Sequence, residues 1–500
     1  MDIKELHEKP PYGMLVILFI GAFTAFLNNT LLNVALPSMI EEFSISTSQV
    51  QWVTTSYMLV NGILIPCSAF LIQRFPNRNL FITAMSLFTL GTAVAMVSPT
   101  FSLLIVGRML QASGSGLMMP LLMNVILMVF PVEKRGTAMG FFGLVMFVAP
   151  AIGPTLSGYI VENYTWRYLF ALILPFGIFA LIYAFFRLKN ITPLRDVSFD
   201  GLSVVLSSIG FGAILFGFSS VADFGWKTFQ TSGLITIGLV SLTVFVIRQL
   251  RLKEPMLDFR TYKYPMFTLA SIISITISAS MFSGMILTPL YVQTIRDISP
   301  FYSGLLMLPG AVIMGIMSPI TGRLFDRFGA RILALIGLTI LTGSTYLLSN
   351  LTMTDEYSYL VFVYAIRMFG MSLVMMPVMT NGLNQLPLKS HPHGTALKNT
   401  LQQVSGAIGT AVLLTIMTAR TNSAAERIGS EVASGNMDLA GQSIENIAML
   451  EGINYTFFIS TLFALTALIL SLFIKRATPE DEQFLTETTK QVKPKVAPVK

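Results

Sequence analysis

The chain has 500 residues, of which 53% are hydrophobic and 11% are charged, with a formal net charge of +7 and a mean hydropathy of +0.70. A soluble domain carries roughly 25% charged residues, so this composition excludes a soluble globular protein and indicates a chain embedded in lipid. The single cysteine, Cys67, excludes an intramolecular disulfide.

Fourteen apolar segments of membrane-spanning length follow one another along the chain. The predicted spans are 14–37, 51–72, 79–98, 101–130, 137–161, 166–187, 199–220, 229–250, 266–292, 301–324, 330–350, 357–383, 394–419 and 452–475. The first is retained as a span because its apolar run is long enough to cross a bilayer and no cleavage site follows it. An even number of spans places both termini on the same side.

The positive charges are distributed unequally between the two sides of this topology. With the N-terminus in the cytoplasm, 25 of the 32 Lys and Arg residues fall in cytoplasmic segments, Lys398 among them, and five fall outside. The remaining two, Arg108 and Arg367, lie inside spans. Cytoplasmic loops are enriched in Lys and Arg, so this asymmetry predicts that both termini are cytoplasmic. It also explains the positive net charge without a nucleic-acid partner.

Four short motifs recur in the same order in the two halves, at an offset of 256 to 259 residues. The pairs are Arg108-Met109 with Arg367-Met368, Met118-Met119-Pro120 with Met375-Met376-Pro377, Gly136-Thr137-Ala138 with Gly394-Thr395-Ala396, and Ala151-Ile152-Gly153 with Ala407-Ile408-Gly409. Such order at nearly one offset indicates a duplication. Two like-oriented halves around a midplane site are typical of transporters.

The repeat predicts that the fourteen helices are arranged as six, two and six. The first six-helix half covers residues 1–190, a two-helix insert covers 191–260, and the second half covers 261–478. Within the second half, residues 420–451 are predicted to form an outer loop. Residues 479–500 are rich in Lys, Pro and acidic residues and are predicted to be a disordered cytoplasmic tail.

The fifth span contains two prolines and three small residues, a composition that favours close helix packing and a bend. These residues are Ala149, Pro150, Gly153, Pro154 and Gly158. They resemble the antiporter motif in the fifth helix of exporters of the major facilitator superfamily, a motif that symporters of the superfamily generally lack. The resemblance implies an all-α membrane protein with the major facilitator fold and an export function.

A second motif lies in the predicted cytoplasmic loop after the tenth span. Gly322, Asp326, Arg327, Gly329 and Arg331 resemble the loop motif of the superfamily in its second-half copy. A glycine permits a tight turn, an Asp interacts favourably with a helix N-terminus, and the Arg side chains are expected to latch facing helices as a gate. The first-half copy departs from the pattern, because Gln73 stands in the position of the Asp and Pro76 in that of a Gly. The first-half latch is therefore expected to be weakened or carried by other residues.

The fourth span contains Arg108 and Gln111, which resemble the superfamily motif R-x-x-Q-x-x-G. Most arginines within a span face the protein interior or a water-filled cavity, so Arg108, Gln111 and the repeat mate Arg367 are candidates for coupling. Residues 27–37 and 163–177 resemble signatures of the fourteen-helix drug:proton antiporters, and the similarity is greatest to lincomycin and multidrug efflux proteins of Gram-positive bacteria.

One departure concerns the proton. Relatives carry an acidic residue in the first helix, where this chain has Asn28 and Asn29, and none of the 25 acidic residues lies near the middle of a predicted span. Three explanations remain open. A carboxylate at a helix end, such as Glu162 or Asp223, reaches the cavity; coupling runs through Arg108 and its polar neighbours; or the substrate is neutral or anionic and is attracted by the buried arginines.

Polar and flexible side chains within the spans are candidates for the substrate cavity, because buried amides need partners and methionines adapt to many ligands. The candidates are Asn28, Asn29, Asn33, Tyr57, Asn61, Met118, Met119, Asn124, Met376 and Asn381. The three histidines, His7, His391 and His393, fall in predicted tail or loop segments, where a solvated position is expected.

No catalytic constellation or metal-ligand cluster is visible in the sequence, so an enzyme is not predicted and no cofactor is expected. The prediction is a secondary active exporter of amphipathic small molecules, driven by the proton motive force. It is expected to be a monomer in the bilayer of a bacterial plasma membrane, without a nucleic-acid partner. The alternatives are an exporter of one neutral or anionic metabolite or lipid-like compound, and a symporter, which the fifth-span motif disfavours.

Overall fold

The computed structural model describes residues 10–32, 35–191, 200–433 and 443–477. Within these residues the regular structure is helical and no strand occurs. The long helices are α1 (Tyr12–Leu31), α2 (Trp52–Arg74), α3 (Asn77–Met96), α4 (Phe101–Val129), α5 (Arg135–Asn163), α6 (Arg167–Arg187), α7 (Gly201–Ser219), α8 (Leu234–Arg251), α9 (Pro265–Leu290), α10 (Pro300–Phe328), α11 (Ala330–Leu348), α12 (Tyr357–Asn384), α13 (His391–Ala433) and α14 (Ile444–Ser471).

These helices coincide in order with the predicted spans. Thirteen of them, all except α5, are long and apolar enough to cross a membrane over their described residues. Helix α5 has 29 residues, which at about 1.5 Å per residue also exceeds the thickness of a bilayer core. The predicted all-α membrane fold is confirmed, whereas the number of crossings and the side of the termini stay predictions.

The predicted outer loop 420–451 is mainly helical over its described residues. Helix α13 continues to Ala433 and α14 begins at Ile444, so the described parts of this segment extend the two helices. Glu451 of α14 accepts from Arg420 and from Arg427 of α13, both at 2.6 Å. These cross-helix ion pairs let polar residues remain helical beyond the apolar span. The short segment 434–442, the predicted tail 479–500 and Asn33 lie outside the described residues.

Helix α12 is interrupted between Ser372 and Met375. Pro377 has no backbone N–H and cannot donate to the carbonyl of Leu373 four residues earlier, so regular hydrogen bonding fails at this point. The interruption separates the half that carries Arg367 from the half that carries Met376.

The two halves contact each other along two seams. At the first seam, α5 packs closely on α10, because glycines remove the side chains where the helices cross. A Cβ on Gly140 would lie 2.6 Å from the carbonyl oxygen of Ser318, and a Cβ on Gly322 would overlap the carbonyl oxygen of Gly136. At the second seam, α2 faces α13, and the insert covers this pair because α7 contacts both helices.

The insert is held together at its predicted cytoplasmic end. Arg248 donates two hydrogen bonds to Asp200, at 2.9 and 3.0 Å, and this pairing lowers the pKa of the Asp200 carboxyl to about 2. At the other end of α7, Phe216 stacks on Trp52 of α2 with ring centroids 5.4 Å apart. The insert is therefore attached to the first half as well as lying beside the second.

Candidate functional site

The halves are joined at the ends that the charge distribution assigns to the cytoplasm. Asp326 of α10 accepts from the backbone N–H groups of Gly136 and Thr137 at 2.8 Å each, and from the hydroxyl of Thr137 at 2.6 Å. These groups form the N-terminus of α5, where the helix dipole favours a negative charge. We call this contact, together with its repeat-related counterpart, the cytoplasmic gate.

The other members of the second-half loop motif have different surroundings. Gly322 lies at the close crossing with Gly136, and Gly329 adopts a positive φ of 79°, which a residue with a side chain rarely adopts. Arg327 lies over the ring of Phe328 at 5.2 Å, and it and Arg331 are exposed. Neither guanidinium makes a hydrogen bond or ion pair to another described residue, so the described part of the gate is latched by Asp326 and not by these arginines.

The counterpart in the first half uses different chemistry. Gln73, in the position of the missing Asp, lies with its Nε2 3.2 Å from Nε2 of His393, and His393 Nδ1 lies 3.2 Å from the backbone N of Asp258. His393 is the repeat mate of Arg135, whose Nη1 donates to Asn384 at 3.2 Å. The first-half latch is thus carried by an amide and an imidazole.

The prediction that the two loop histidines are solvated is wrong. His391 and His393 begin α13 and are both buried, with 1% and 7% of their surfaces exposed. The reason is the gate itself, because its packing covers the start of α13, which hydropathy alone places at the membrane edge.

The five residues of the fifth-span motif lie in uninterrupted helix. A Cβ on Gly153 would overlap the hydroxyl of Thr30 on α1, and Ser157 donates to the carbonyl oxygen of Leu31 at 2.5 Å. Ala149 is buried, whereas Gly158 has open space beside it. The described part of the motif therefore brings α5 against α1. The helix passes through Pro150 and Pro154 without a break.

Arg108 lies at the centre of a buried network in the first half. Its Nε donates to the carbonyl oxygen of Val53 at 3.1 Å, its Nη1 donates to Gln111 Oε1 at 2.9 Å, and its guanidinium carbon lies 4.2 Å from the ring centroid of Tyr57. Gln111 Nε2 donates in turn to Asn28 at 3.2 Å and to Thr92 at 2.8 Å. The network joins α1, α2, α3 and α4 without a carboxylate.

Other predicted cavity residues of the first half lie near this network. The Tyr57 hydroxyl donates to Ser115 Oγ at 2.7 Å, and Ser115 donates to Asn61 at 3.1 Å. The side-chain oxygens of Asn29 and Asn124 are buried and have no partner among the described residues. Met118 is buried and Met119 is partly buried, both against the apolar core.

Arg367 forms the corresponding centre of the second half. It is fully buried, its Nε donates to Thr345 at 3.2 Å, and its Nη2 donates to the carbonyl oxygen of Ser280. Its Nη1 is buried without a described partner, next to Gly284. Asn381 serves differently, because its amide binds backbone atoms of Lys475 and Ala477 at 2.9 and 3.0 Å. It thereby holds the end of the described chain, and it does not line either of the two cavities described below.

A cavity of about 750 Å³ lies at the second seam, between α2, the insert and α13. This volume is within the usual range for small-molecule sites. Its lining comprises Thr55, Met58, Leu59, Leu215, Phe218, Ser219, Val221, Gly225, Trp226, Phe282, Gln403, Gly406, Ala407, Thr410, Ala411, Leu414, Thr415, Thr418, Ala419 and Asn422. Hydroxyl and amide groups interrupt the apolar surface, and no charged residue lines it in the described chain. Trp226 of the insert donates to Thr415 across the cavity at 2.8 Å.

None of the predicted cavity residues lines this space. Its wall on α13 is made of small and hydroxyl residues, such as Gly406, Ala407 and Thr410, which resemble ordinary helix-packing residues in a sequence. The sequence carries a weak signal, because Ala407 belongs to the repeat motif that pairs with Ala151-Ile152-Gly153 of the fifth span. The sequence nevertheless does not indicate that the insert closes the other side.

A second, smaller cavity of about 30 Å³ adjoins α13 between α9 and α12. Its lining contains Lys398 and Gln402 together with Met375, Met376 and Met379 and three serines of α9. The charge distribution predicts that Lys398 lies at the cytoplasmic surface, but the structure buries it with 8% of its surface exposed. Glu162, by contrast, is exposed at the end of α5 and does not reach either cavity. In the described residues no group of His, Cys, Asp and Glu is arranged for a metal ion.

Comparison with known proteins agrees with this architecture. The family model of the Major Facilitator Superfamily matches residues 18–410. The chain is 45% identical to the uncharacterized MFS-type transporter YhcA of Bacillus subtilis, covering 94% of each chain. It is 42% identical to the lincomycin resistance protein LmrB of Listeria monocytogenes, covering 93% of this chain and 97% of that protein.

A solved structure shares the fold at low sequence identity. The human organic anion transporter MFSD10 (TETRAN) superposes with a TM-score of 0.65 at 13% identity, over 93% of this chain and 100% of that chain. At this identity the likeness concerns the fold alone. On the family match and the close relatives, the chain belongs to the Major Facilitator Superfamily and is a multi-pass membrane transporter, not an enzyme.

Proposed function

We propose that this protein exports neutral amphipathic drugs from a bacterial cell by proton antiport, through alternating access of its two halves. The observation that carries the proposal is the cavity of about 750 Å³ at the seam between the halves, with a mostly apolar lining interrupted by hydroxyls and amides. Such a lining accommodates ligands by burial of apolar surface and orients them with few hydrogen bonds. The lincomycin-resistance relatives support efflux of antibiotics.

The charges around the cavity support a neutral substrate. The described lining carries no carboxylate that would attract a cation, and the membrane interior holds the guanidinium groups of Arg108 and Arg367. A buried cationic substrate would need a counter-charge to offset its lost hydration. We therefore expect neutral compounds to be better substrates than quaternary ammonium dyes, and anionic compounds remain the second candidate class.

The gate supports the proposal of alternating access. In this structure the halves are joined at Asp326 and Gln73, so export requires these contacts to break and the opposite ends to approach. We propose that the monomer in a lipid bilayer suffices for this cycle, with the proton motive force as its energy source.

The proposal is tested by transport in proteoliposomes. The purified protein is reconstituted, a pH gradient is imposed, and uptake of radiolabelled lincomycin is compared with that of a quaternary ammonium dye and an organic anion. We expect lincomycin uptake that collapses when an ionophore dissipates the gradient. Transport of the dye at the same rate as lincomycin would contradict the neutral-substrate proposal. Lincomycin uptake that does not change when the pH gradient is dissipated would contradict proton antiport.

A further inference from the structure

The buried amine of Lys398 has no described counter-ion. Its Nζ donates to Asn399 Oδ1 at 3.3 Å, and no described carboxylate oxygen lies within 4.0 Å of it. Lys398 lies seven residues after the start of α13, roughly 10 Å along the helix axis, so it is not at the helix end. Fully buried lysines are rare unless paired, which makes this position one that needs a functional explanation.

The surroundings of Lys398 are polar but uncharged. Helix α9 contributes Ser271, Ser274 and Ser278 to the cavity, and α12 contributes methionines. Two buried polar atoms next to Lys398, Asn399 Nδ2 and Thr400 Oγ1, have no partner in the described chain. A cavity of about 30 Å³ is large enough for a water molecule, and orphaned polar atoms are the usual partners of buried water. The site thus has room for the water that would carry a proton to and from the amine.

Tyr364 and Arg367 of α12 are buried in the second half, where Arg367 donates to the carbonyl oxygen of Ser280 on α9. A second set of titratable groups on the neighbouring elements lies at the gate. They are His391 and His393 on α13, Asp258 before α9, Arg74 on α2 and Arg135 on α5. Among them, the imidazole of His393 in the second half contacts Gln73 of the first half and the backbone N of Asp258, and an imidazole can accept a proton. It is the competing candidate for a proton site.

We infer that Lys398 is the proton-binding group of this transporter and takes the place of the membrane carboxylate of its relatives. This inference rests on the proposed proton antiport. The step is the reversible loss of a proton from the Nζ ammonium, which leaves a neutral amine and places the proton on water. A lysine suits the role because it changes protonation state readily when its surroundings change.

Competition between substrate and proton accounts for antiport. Gln403 lines the cavity of about 750 Å³ and the adjacent Gln402 lines the cavity of about 30 Å³, so the two sites lie on neighbouring faces of α13. A substrate that covers this region removes water from Nζ, and burial without a counter-ion favours the neutral form of an amine. An empty, hydrated site favours the ammonium form. The transporter therefore carries either substrate or proton across, and exchanges one for the other.

The test compares Lys398→Met and Lys398→Arg with Lys389→Met in proteoliposomes. Lys389 is exposed in the same cytoplasmic region, so its substitution removes the same charge without touching the cavity. Two assays are run on each protein: lincomycin uptake driven by a pH gradient, and lincomycin counterflow at equal pH. We expect Lys389→Met to behave as the parent protein. We expect Lys398→Met to lose the stimulation by the gradient and to keep counterflow, which also shows that it is folded.

Lys398→Arg separates titration from charge, because an arginine stays protonated. It is expected to lose gradient-driven uptake as well. Proton release on lincomycin binding, measured by calorimetry in two buffers of different ionisation enthalpy, should fall from about one proton per lincomycin to near zero in Lys398→Met. If counterflow is lost in this variant, Lys398→Gln is used for the same comparison.

Gradient-driven uptake at the parental level in Lys398→Met or Lys398→Arg overturns the inference. Loss of that uptake in His393→Gln alone assigns the proton to the gate imidazole instead and overturns it too. A parent protein that shows counterflow but no response to the pH gradient contradicts the proposed antiport itself. The two failures are therefore distinguishable.

Discussion

At the scale of single residues, the buried side chains show how a membrane interior holds two guanidinium groups without carboxylates. Arg108 is stabilised by the carbonyl oxygen of Val53 and the face of Tyr57 on α2, and by the amide oxygen of Gln111 on its own helix. These partners supply dipoles and ring electrons in place of an anion. The net positive charge of the site is consequently not cancelled locally, which is consistent with a substrate that is not cationic.

Replacement of Arg108 by Ala is predicted to abolish gradient-driven lincomycin uptake. The carbonyl oxygen of Val53 and the amide of Gln111 would lose a buried donor, at a cost of about 1–3 kcal/mol each. Arg108→Lys is expected to remain defective, because an ammonium cannot reproduce the planar fork of donors. Uptake and thermal unfolding in detergent measure the two effects. Arg327→Ala, at an exposed position, is the control, and parental uptake in Arg108→Ala would refute the prediction.

At the scale of helices, the gate depends on how closely α5 and α10 approach. Backbone meets backbone at Gly136 and Gly322, which brings Asp326 within hydrogen-bonding distance of the N-terminus of α5. The same helix is held to α1 through Gly153 and Ser157. Gly136, Gly153 and Ser157 of α5 therefore connect the gate to α1, the helix that carries Asn28.

Replacement of Gly322 by Ala is predicted to hinder closure of the cytoplasmic gate. The new methyl group would overlap the backbone of Gly136, and overpacking of this kind costs typically about 1–3 kcal/mol. We expect a shift toward the state that is open to the cytoplasm, seen as a longer distance between spin labels placed on the two halves. Gly343→Ala on α11, where a Cβ meets open space, is the matched control and should leave the distance unchanged. An unchanged distance in Gly322→Ala would disprove this role for the crossing.

At the scale of the whole molecule, the two seams between the halves are unequal. One seam is closed by glycine-mediated packing of α5 on α10, and the other contains the cavity of about 750 Å³ and is covered by the insert. The insert contacts α2 through Trp52 and α13 through Trp226 and Thr415. A six-helix pair without an insert would leave this side of the cavity open to lipid.

Replacement of Ala407 by Leu is predicted to lower lincomycin transport by filling the cavity at the second seam. Ala407 lines the cavity, so the added atoms would occupy space that a ligand needs without entering the packed core. We expect a raised KM for lincomycin with little change in thermal unfolding. Thr339→Leu, on an exposed face of α11, adds similar bulk toward lipid and should have no effect. Unaltered transport kinetics in Ala407→Leu would place the substrate elsewhere.

The helices and their order were predictable from the amino-acid sequence. Hydropathy along a span and the numbers of Lys and Arg beside it are local properties, so they do not depend on which parts of the chain pack together. The repeat of Arg108 by Arg367 likewise requires no knowledge of packing, and it correctly pairs two buried arginines. The interaction of Asp326 with a helix N-terminus was also predictable, because the loop motif contains both the glycine of the turn and the carboxylate.

The tertiary structure alone decided which of these residues meet. Gln73 and His393 are 320 positions apart, and only the closed gate brings them together. Lys398 looked cytoplasmic because a charge near the end of a span is normally solvated, whereas the approach of α9 and α12 buries it. The cavity at the second seam is bounded on α13 by small residues, and it is closed on the other side by the insert. Hydropathy and composition thus determined the helices, whose orientation in the membrane stays a prediction from the charges. Long-range packing determined which residues form the site, because burial depends on neighbours that a sequence does not place.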